Sequence, residues 1–348
     1  MILNSLKEVK EIVLPLLSSR TEFALDYETL VGKHVIEYEI TVVGLCFGRE
    51  HIYSIPVGCR EVFGEDKKDV DLSAVLSLLR PFLESSLVRK IAHNAKFEKH
   101  VSLNYGIRLR NTFCTLVAGA LVDENIPLSL KVRCAEVGLV LEDCATVTSR
   151  CAKVQCADDL LTYCGNDALA CYLLKQVYSK RLKEKGVWKN FLTETALQHA
   201  IMKVERRGIG LSIPLLKKID RKIQKELATV EGKIYVEAGS EFNLRSAAQV
   251  GEVLFTQMRL PILKKTPGGK PSTDAQVLDD LSAGVIVKGE LRKYPIAEYM
   301  ARHRQLSKLS GTYTGPTGDL RTLVIKGRIH TNLNQLNART GRMCVDKD

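Results

Sequence analysis

The 348 residues carry 51 Lys and Arg against 40 Asp and Glu, a net charge of +11, with 45% hydrophobic side chains. That length allows two or three domains with sizeable cores; no run of about 18 apolar residues marks a membrane span, and the opening MILNSLKEVKEIVLPLLSSR, an amphipathic helix pattern, lacks the charge order and cleavage site of a signal peptide. Residues 1–185 hold 24 basic and 24 acidic side chains while residues 186–348 hold 27 and 16, so an anionic partner, nucleic acid foremost, is expected on the second part, the plainer alternative being a solvated basic helical surface.

Ten cysteines are present, nine of them before residue 172, irregularly spaced and never as Cys-x-x-Cys. They read as reduced thiols of a cytosolic protein. A zinc cluster at Cys151, Cys156 and Cys164 has little support from spacing.

After the opening helix, FALDYET (residues 23–29) reads as a buried strand. Side chains alternate along a strand, so the carboxylates of Asp26 and Glu28 point the same way. Two acids this close repel and shift each other's pKa unless a cation lies between them. Oxygen ligands favour Mg²⁺ or Mn²⁺. The alternative is two solvated acids at an exposed strand end before the turn-like residues 30–33.

YEITVVGLCFG (38–48) and HIYSIPV (51–57) read as a hairpin beside that strand. VDLSAVLSLLRPFLESS (70–86) has helical apolar spacing. RKIAHNAKFEKHVSLNYG (89–106) is a short strand and then a helix, on which Asn94, Glu98 and Val101 are expected on one face. NTFCTLVAGALVDEN (111–125) looks buried, and SLKVRCAEVGL (129–139) helical. ADDLLTYCGNDALACYLLKQVYSKRL (157–182) reads as a long helix with Tyr163 and Asp167 at i and i+4. Taken alone, that pair is more simply a satisfied core contact.

The order D-x-E on a strand, HNAKFE entering a helix and Y-x-x-x-D on a helix resembles the 3′–5′ exonuclease superfamily with Tyr in its last motif. Proofreading domains of family A DNA polymerases and the ribonuclease D group share that pattern. The resemblance implies an α/β, ribonuclease H-like fold, a mixed sheet with flanking helices, over residues 1–185. It implies two divalent cations, Mg²⁺ or Mn²⁺. Asp26 would bridge both, Glu28 and Asp167 would complete the first, Tyr163 would orient the attacking water, and Glu98 would serve the second. Asn94 and Phe97 would contact the terminal nucleotides of a single-stranded 3′ end. The middle motif commonly ends in Asp, and here Glu98 adds a methylene.

In the second part, NFLTETALQHAIMKVERRGIGLS (190–212) has helical spacing and a Gly-Ile-Gly stop, and IPLLKKIDRKIQKELATVEGKIYVEAGS (213–240) is a long charged helix with proline in its first turn. KKTPGGKPSTDAQVLDDLSAG (264–284) is a basic loop running into a helix, where Thr273 and Gln276 match a capping box. GGKPST lacks the spacing of a phosphate-cradling loop. EYMARHRQLSKLSGTYTGPTGDL (298–320) reads as a helix ending at a turn, and GRIHTNLNQLNARTGRM (327–343) as extended chain.

These segments are similar to the mostly α-helical thumb of bacterial and phage family A DNA polymerases, notably KVERRGIGLS, FNLRSAAQVGEVLF, STDAQVLDDL, RQLSKLSGTY and GRIHTNLNQLNARTGRM. The resemblance covers nearly all of residues 20–348. It implies a thumb over 190–325, the start of a palm over 326–348, and a primer–template duplex as partner. Lys308, Thr312, Asn334, Arg339 and Arg342 would be duplex contacts, each of which is otherwise an ordinary surface residue. The family's palm and fingers carry its polymerase site, so these residues are expected not to make DNA alone and to work with palm and fingers on further sequence or a separate chain. The expected setting is the cytoplasm of a bacterial or phage-infected cell, with no membrane partner. A catalytically silent DNA-binding part of a split polymerase and a ribonuclease D-like RNA exonuclease are the alternatives.

Overall fold

The computed structural model of the chain describes residues 1–348 apart from 31, 33, 60–68, 140–156, 339 and 346–348, and only the backbone of residues 157 and 158. Packing divides the chain into Met1–Gly208 with His330–Asp348, and Ile209–Ile329.

The first unit is built on a five-stranded mixed sheet of order β3-β2-β1-β4-β5. β1 (Glu22–Leu30) pairs antiparallel with β2 (Glu39–Gly48), and β2 likewise with β3 (His51–Pro56). On its other side β1 pairs parallel with β4 (Arg89–Ala92), and β4 with β5 (Thr112–Cys114). β1 is thus central, and its Phe23, Ala24, Leu25 and Tyr27 are buried. The opening helix, α1, runs through Leu6–Glu8, a π turn at Val9–Val13, and Leu14–Ser19. Between β3 and β4 lies α2 (Leu72–Leu83). α1 and α2 share one core with Phe23, Leu25 and Tyr27 of β1.

The opposite sheet face is covered by a helix that follows α3 (Ala95–Asn104), α4 (Thr115–Val122) and α5 (Leu130–Glu136). This is α6 (Ala157–Glu184), which packs on β1, β2 and β3. Ala24, Cys46, Ala168, Cys171, Leu174 and Tyr178 meet there. Small residues at the sheet surface bring this helix close, and each fully buried large side chain contributes about 1.5–3 kcal/mol. α7 (Trp188–Arg207) packs on α3 and α4 and belongs to the first unit.

The second unit begins with β6 (Ile209–Gly210) and α8 (Ile213–Ala238). Ser212 caps α8 and Pro214 lies in its first turn, as the sequence indicates. α9 (Ala247–Gly251) runs on as a π turn to Gln257, and α10 (Ala275–Ala283) leads into the hairpin β7 (Val285–Val287) and β8 (Glu290–Arg292). α11 (Pro295–Lys308) packs on both α8 and α10. Ile223, Leu227, Ile234, Leu278 and Met300 form the core of this unit. The expected capping box at Thr273 and Gln276 is not formed. Asp274 caps α10 by accepting from Val277 N at 3.0 Å, while the Thr273 carbonyl and hydroxyl oxygens accept from the Arg304 guanidinium. An aspartate one residue nearer the helix supplies the stronger cap.

β9 (Val324–Ile325) and β6 flank β10 (Arg328–Ile329), with Ile209 opposite Ile329. Beyond them, β11 (Leu333–Asn334) pairs with β12 (Cys344–Val345) in the first unit.

Candidate active site

Along β1 the odd residues Phe23, Leu25 and Tyr27 enter the core beneath α1 and α2, and Ala24 enters the core against α6. Alternation therefore turns Asp26 and Glu28 toward α6. Both are half-buried. The β1–β2 register shifts between Glu28 and Thr29, an irregularity of the kind that re-aims a side chain next to a site.

α6 approaches β1 and β2 closely at glycines. Gly44 lies opposite Asp26 in the ladder, and a Cβ there would sit 2.7 Å from Cys164 Sγ and 2.8 Å from the Cys164 carbonyl oxygen. On the helix, a Cβ at Gly165 would meet Ser54 Oγ at 2.8 Å. Ser54 of β3 donates to the Leu161 carbonyl at 2.5 Å, tying the helix to the sheet one turn earlier. The turns so held carry Tyr163, Cys164 and Asp167, and the Tyr163 hydroxyl donates to the Asp167 carboxylate.

α3 brings the third acid. His93, at the end of β4, is locked by Thr115 Oγ1 on Nδ1 at 2.9 Å and the Leu128 carbonyl on Nε2 at 2.8 Å. Burial holds it neutral, with its pKa near 4, despite the carbonyl bond, so Nε2 carries the proton. Asn94 then takes the left-handed conformation, φ 61° and ψ 49°, as the N-cap of α3. It does not share the helical face of Glu98 and Val101; Asn tolerates this geometry and turns the chain sharply into the helix. Glu98 is 2% exposed, and its Oε2 has no hydrogen-bond partner.

The electrostatics bring these acids into one group. Burial, then Glu28, raises Asp26 to about 8, against the lowering effect of a hydrogen bond from Cys164. Burial, then Asp167, raises Glu28 to about 8. Burial, then Asp26, raises Asp167 to about 8, while the Tyr163 bond pulls it down. Glu98 is held well above the usual carboxylate range by burial and then by Asp26. In each of these balances the leading charged neighbour is another acid of the group. Four acids that raise one another this way form the environment a divalent cation relieves. The partnerless Oε2 of Glu98 and the oxygen-rich donor set fit hard ions such as Mg²⁺ or Mn²⁺. Among the described residues, the close group of possible ligand atoms is Asp26, Glu28 and Cys164, all within 4.8 Å of one another. The sequence offers Cys164 only within the zinc alternative and gives no sign that it joins Asp26 and Glu28, since a cysteine on a helix otherwise reads as a small apolar residue. Cys151 and Cys156, its partners in the zinc alternative, lie outside the described residues.

Beside the acids, Asn94 and Phe97 line one pocket with Tyr38, Lys96, Asn334 and Gln335. Phe97 meets Tyr38 edge-on with ring centroids 6.0 Å apart. The wall formed by residues 332–336 is held by Glu205 of α7. That carboxylate accepts from Lys96 Nζ at 2.5 Å, His100 Nε2 at 2.7 Å and Leu333 N at 2.6 Å, with its side chain fully shielded. Burial alone would raise its pKa, but the bonds from His100, Lys96 and Leu333 outweigh burial and hold it below the usual value. His330 Nδ1 donates to the Glu205 carbonyl at 2.8 Å. Glu205 and Lys96 are residues that sequence reasoning missed, because they are 109 positions apart.

The five expected duplex contacts divide between the units. Lys308, exposed at the end of α11, and Thr312, in the π turn after it, belong to the second. Asn334, in β11, and exposed Arg342 belong to the first. Arg339 lies outside the described residues. Among the described residues, no helix is long and apolar enough to cross a membrane.

A family model described as 3′–5′ exonuclease matches residues 2–183, and one described as DNA polymerase family A matches residues 213–347. DNA polymerase I of Chloroflexus aurantiacus is 28% identical over 338 residues, covering 92% of this chain and 34% of that protein. The Synechocystis DNA polymerase I is 29% identical, covering 86% of this chain and 30% of its own length. A thermostable DNA polymerase I of Thermus thermophilus is 36% identical over 170 residues, 47% of this chain and 19% of that protein. The chain thus spans about a third of the length of the first two relatives. Among solved structures, the polymerase domain of Pol1 from M. smegmatis, in complex with DNA primer-template and dNTP, matches with a TM-score of 0.71 at 20% identity, covering 97% of this chain and 53% of that one. That likeness is one of fold.

Proposed function

We propose, for a chain that belongs to the 3′–5′ exonuclease family and runs on into DNA polymerase family A sequence, that residues 1–185 remove nucleotides from the 3′ end of DNA by metal-dependent hydrolysis. The observation that carries this reading is the set of four acids, Asp26, Glu28, Glu98 and Asp167, each raised by burial and by another acid of the set.

Asp26 would hold two divalent cations, Glu28 and Asp167 the first, and Glu98 the second. When bound, such ions supply a nucleophile at neutral pH and neutralise charge on the attacking and leaving oxygens. The Tyr163 hydroxyl, anchored on Asp167, orients the attacking water toward phosphorus. The P–O3′ bond breaks, the 3′ oxygen of the shortened strand takes a proton, and a nucleoside 5′-monophosphate leaves. Asn94 and Phe97 position the last nucleotides, which must arrive unpaired because stacking on a ring requires an open base face.

The basic second part, with Lys308 and Thr312, and the residues Asn334, Arg339 and Arg342 are assigned to the primer–template duplex. Residues 190–325 then act as a thumb and 326–348 open a palm. DNA synthesis is not proposed for these residues alone; it takes a palm and fingers, on further sequence or a separate chain, in a bacterial or phage-infected cytoplasm.

Digestion of 5′-labelled single-stranded DNA with Mg²⁺ or Mn²⁺, beside Asp26→Ala, tests this. A ladder shortening from the 3′ end and abolished by the substitution is expected. No shortening with either metal, while duplex DNA still binds, would overturn the exonuclease and leave a DNA-holding module. Equal shortening of RNA with no duplex binding would favour a ribonuclease D-like role.

A further inference from the structure

The acids do not account for every donor at the site. Cys164 Sγ lies within 4.8 Å of ligand oxygens of both Asp26 and Glu28, and those oxygens lie within 4.8 Å of each other. The thiol is fully shielded, and its bonds are to Asp26, at the side chain and at 3.6 Å to the carbonyl oxygen. Cys46, Cys114, Cys134 and Cys171 are also buried, as small apolar residues of the helix–sheet interface. Cys164 differs from them in that its Sγ groups with ligand oxygens of two acids within 4.8 Å. A second observation points to a ligand of the same acids: Glu98 Oε2, on a side chain 2% exposed, has no hydrogen-bond partner while Asp26 and Glu28 act on it.

We propose that Cys164 is an additional ligand of this metal site, one that admits thiophilic divalent ions such as Zn²⁺, Co²⁺ or Cd²⁺ as a mixed oxygen–sulfur centre. This rests on the reading of Asp26 and Glu28 as metal ligands. Hard Mg²⁺ keeps to oxygen, whereas softer ions gain from thiolate. The thiolate is the binding form, so coordination breaks the S–H bond of Cys164 and releases its proton to solvent as the metal–sulfur bond forms, with no change of oxidation state. The position of Sγ between helix and ladder leaves Mg²⁺-supported chemistry to the carboxylates. A thiophilic ion held by sulfur as well is therefore a tight competitor for the same place, and the residue sets which metal occupies the site.

The test uses the full chain, reduced with a non-thiol reductant. Wild type, Cys164→Ser and Cys164→Ala are titrated with Co²⁺, reading the near-ultraviolet sulfur-to-cobalt charge-transfer band, and with Mn²⁺, reading the loss of free-ion paramagnetic resonance. Wild type is expected to develop the band on Co²⁺ binding. Both variants are expected to lose it, to bind Co²⁺ and Cd²⁺ about 10- to 100-fold more weakly, and to keep their Mn²⁺ affinity. A band of equal strength in the variants, or Mn²⁺ binding to wild type with no Co²⁺ band, overturns the role of Cys164 and leaves the oxygen site standing. Failure of wild type to bind Mn²⁺ at all overturns the metal reading beneath it. Two substitutions of different size guard against one that misfolds.

Discussion

Asp26 and Gly44 face one another across the β1–β2 ladder, and the missing side chain at Gly44 makes room for the turn of α6 that carries Cys164 and leads to Asp167. A methyl group at that point would meet backbone, which cannot swing aside as the end of a flexible side chain can. Gly44→Ala is therefore expected to cost about 1–3 kcal/mol in chemical denaturation. By moving α6 outward it should also slow 3′-end hydrolysis by about 10²-fold. Unchanged stability and rate would mean that the helix is not held by this contact.

Tyr163 acts on its neighbour as well as on the water assigned to it. Its hydroxyl lowers the pKa of Asp167 against burial and Asp26. Tyr163→Phe should reduce the hydrolysis rate by about 10²-fold. It should also move the acid limb of the pH–rate profile to higher pH, since Asp167 then gives up its proton later. A lower rate with an unmoved profile would separate the tyrosine from Asp167.

Glu98→Gln keeps the shape of the buried side chain and removes its charge. The substituted chain is expected to retain one tightly bound Mn²⁺ per molecule in a paramagnetic resonance titration and lose the second. Retention of both ions would assign Glu98 to the core alone.

The raised acids oppose folding of the metal-free chain at alkaline pH. Asp26 has a folded pKa of about 8 against an ordinary 3.8. Between those values the folded chain holds a proton that the unfolded chain has lost, so this group's contribution to stability falls as pH rises through the window. Metal-free Asp26→Asn should accordingly melt above wild type at pH 8, and the gap should close as pH falls toward 5. Comparing the two chains cancels the opposite trend of His34 and His93, whose pKa values burial lowers to about 4. A gap that widens on acidification would reverse the sign assigned to the cluster.

Much of this arrangement was legible in the sequence, because it is written in local spacing. The two-residue interval of Asp26 and Glu28 and the four-residue interval of Tyr163 and Asp167 each place side chains on one face before any tertiary contact is known. The strand–hairpin–helix order of residues 22–104 follows from apolar periodicity in the same way. Features set by backbone conformation or distant contact were not legible. Asn94 leaves the helix face through a positive φ, Asp274 displaces Thr273 as a cap, and Gly44 matters only because α6, more than a hundred residues later, lies against it.

Glu205 belongs to the same class. Its carboxylate is wholly shielded and satisfied by Lys96, His100 and the Leu333 amide. Removing one partner of a buried ion pair strands the other, so Glu205→Ala is expected to cost about 3–5 kcal/mol in denaturant unfolding. It should also loosen residues 330–336, read as faster amide exchange at Leu333. A loss below about 1 kcal/mol would make the contact ornamental.

The pairing of Ile209 with Ile329 has a topological consequence. The chain leaves the first unit after Gly208, builds all of the second, and re-enters at His330 through a neighbouring strand, about 5 Å away in a ladder of this kind. The second unit is an excursion whose two ends share one doorway. Its length then places little strain on the body that hosts it, and a few linking residues in its stead would bridge the same gap. Evolution or an engineer could enlarge, exchange or excise the insert there without reopening the sheet that holds the acids.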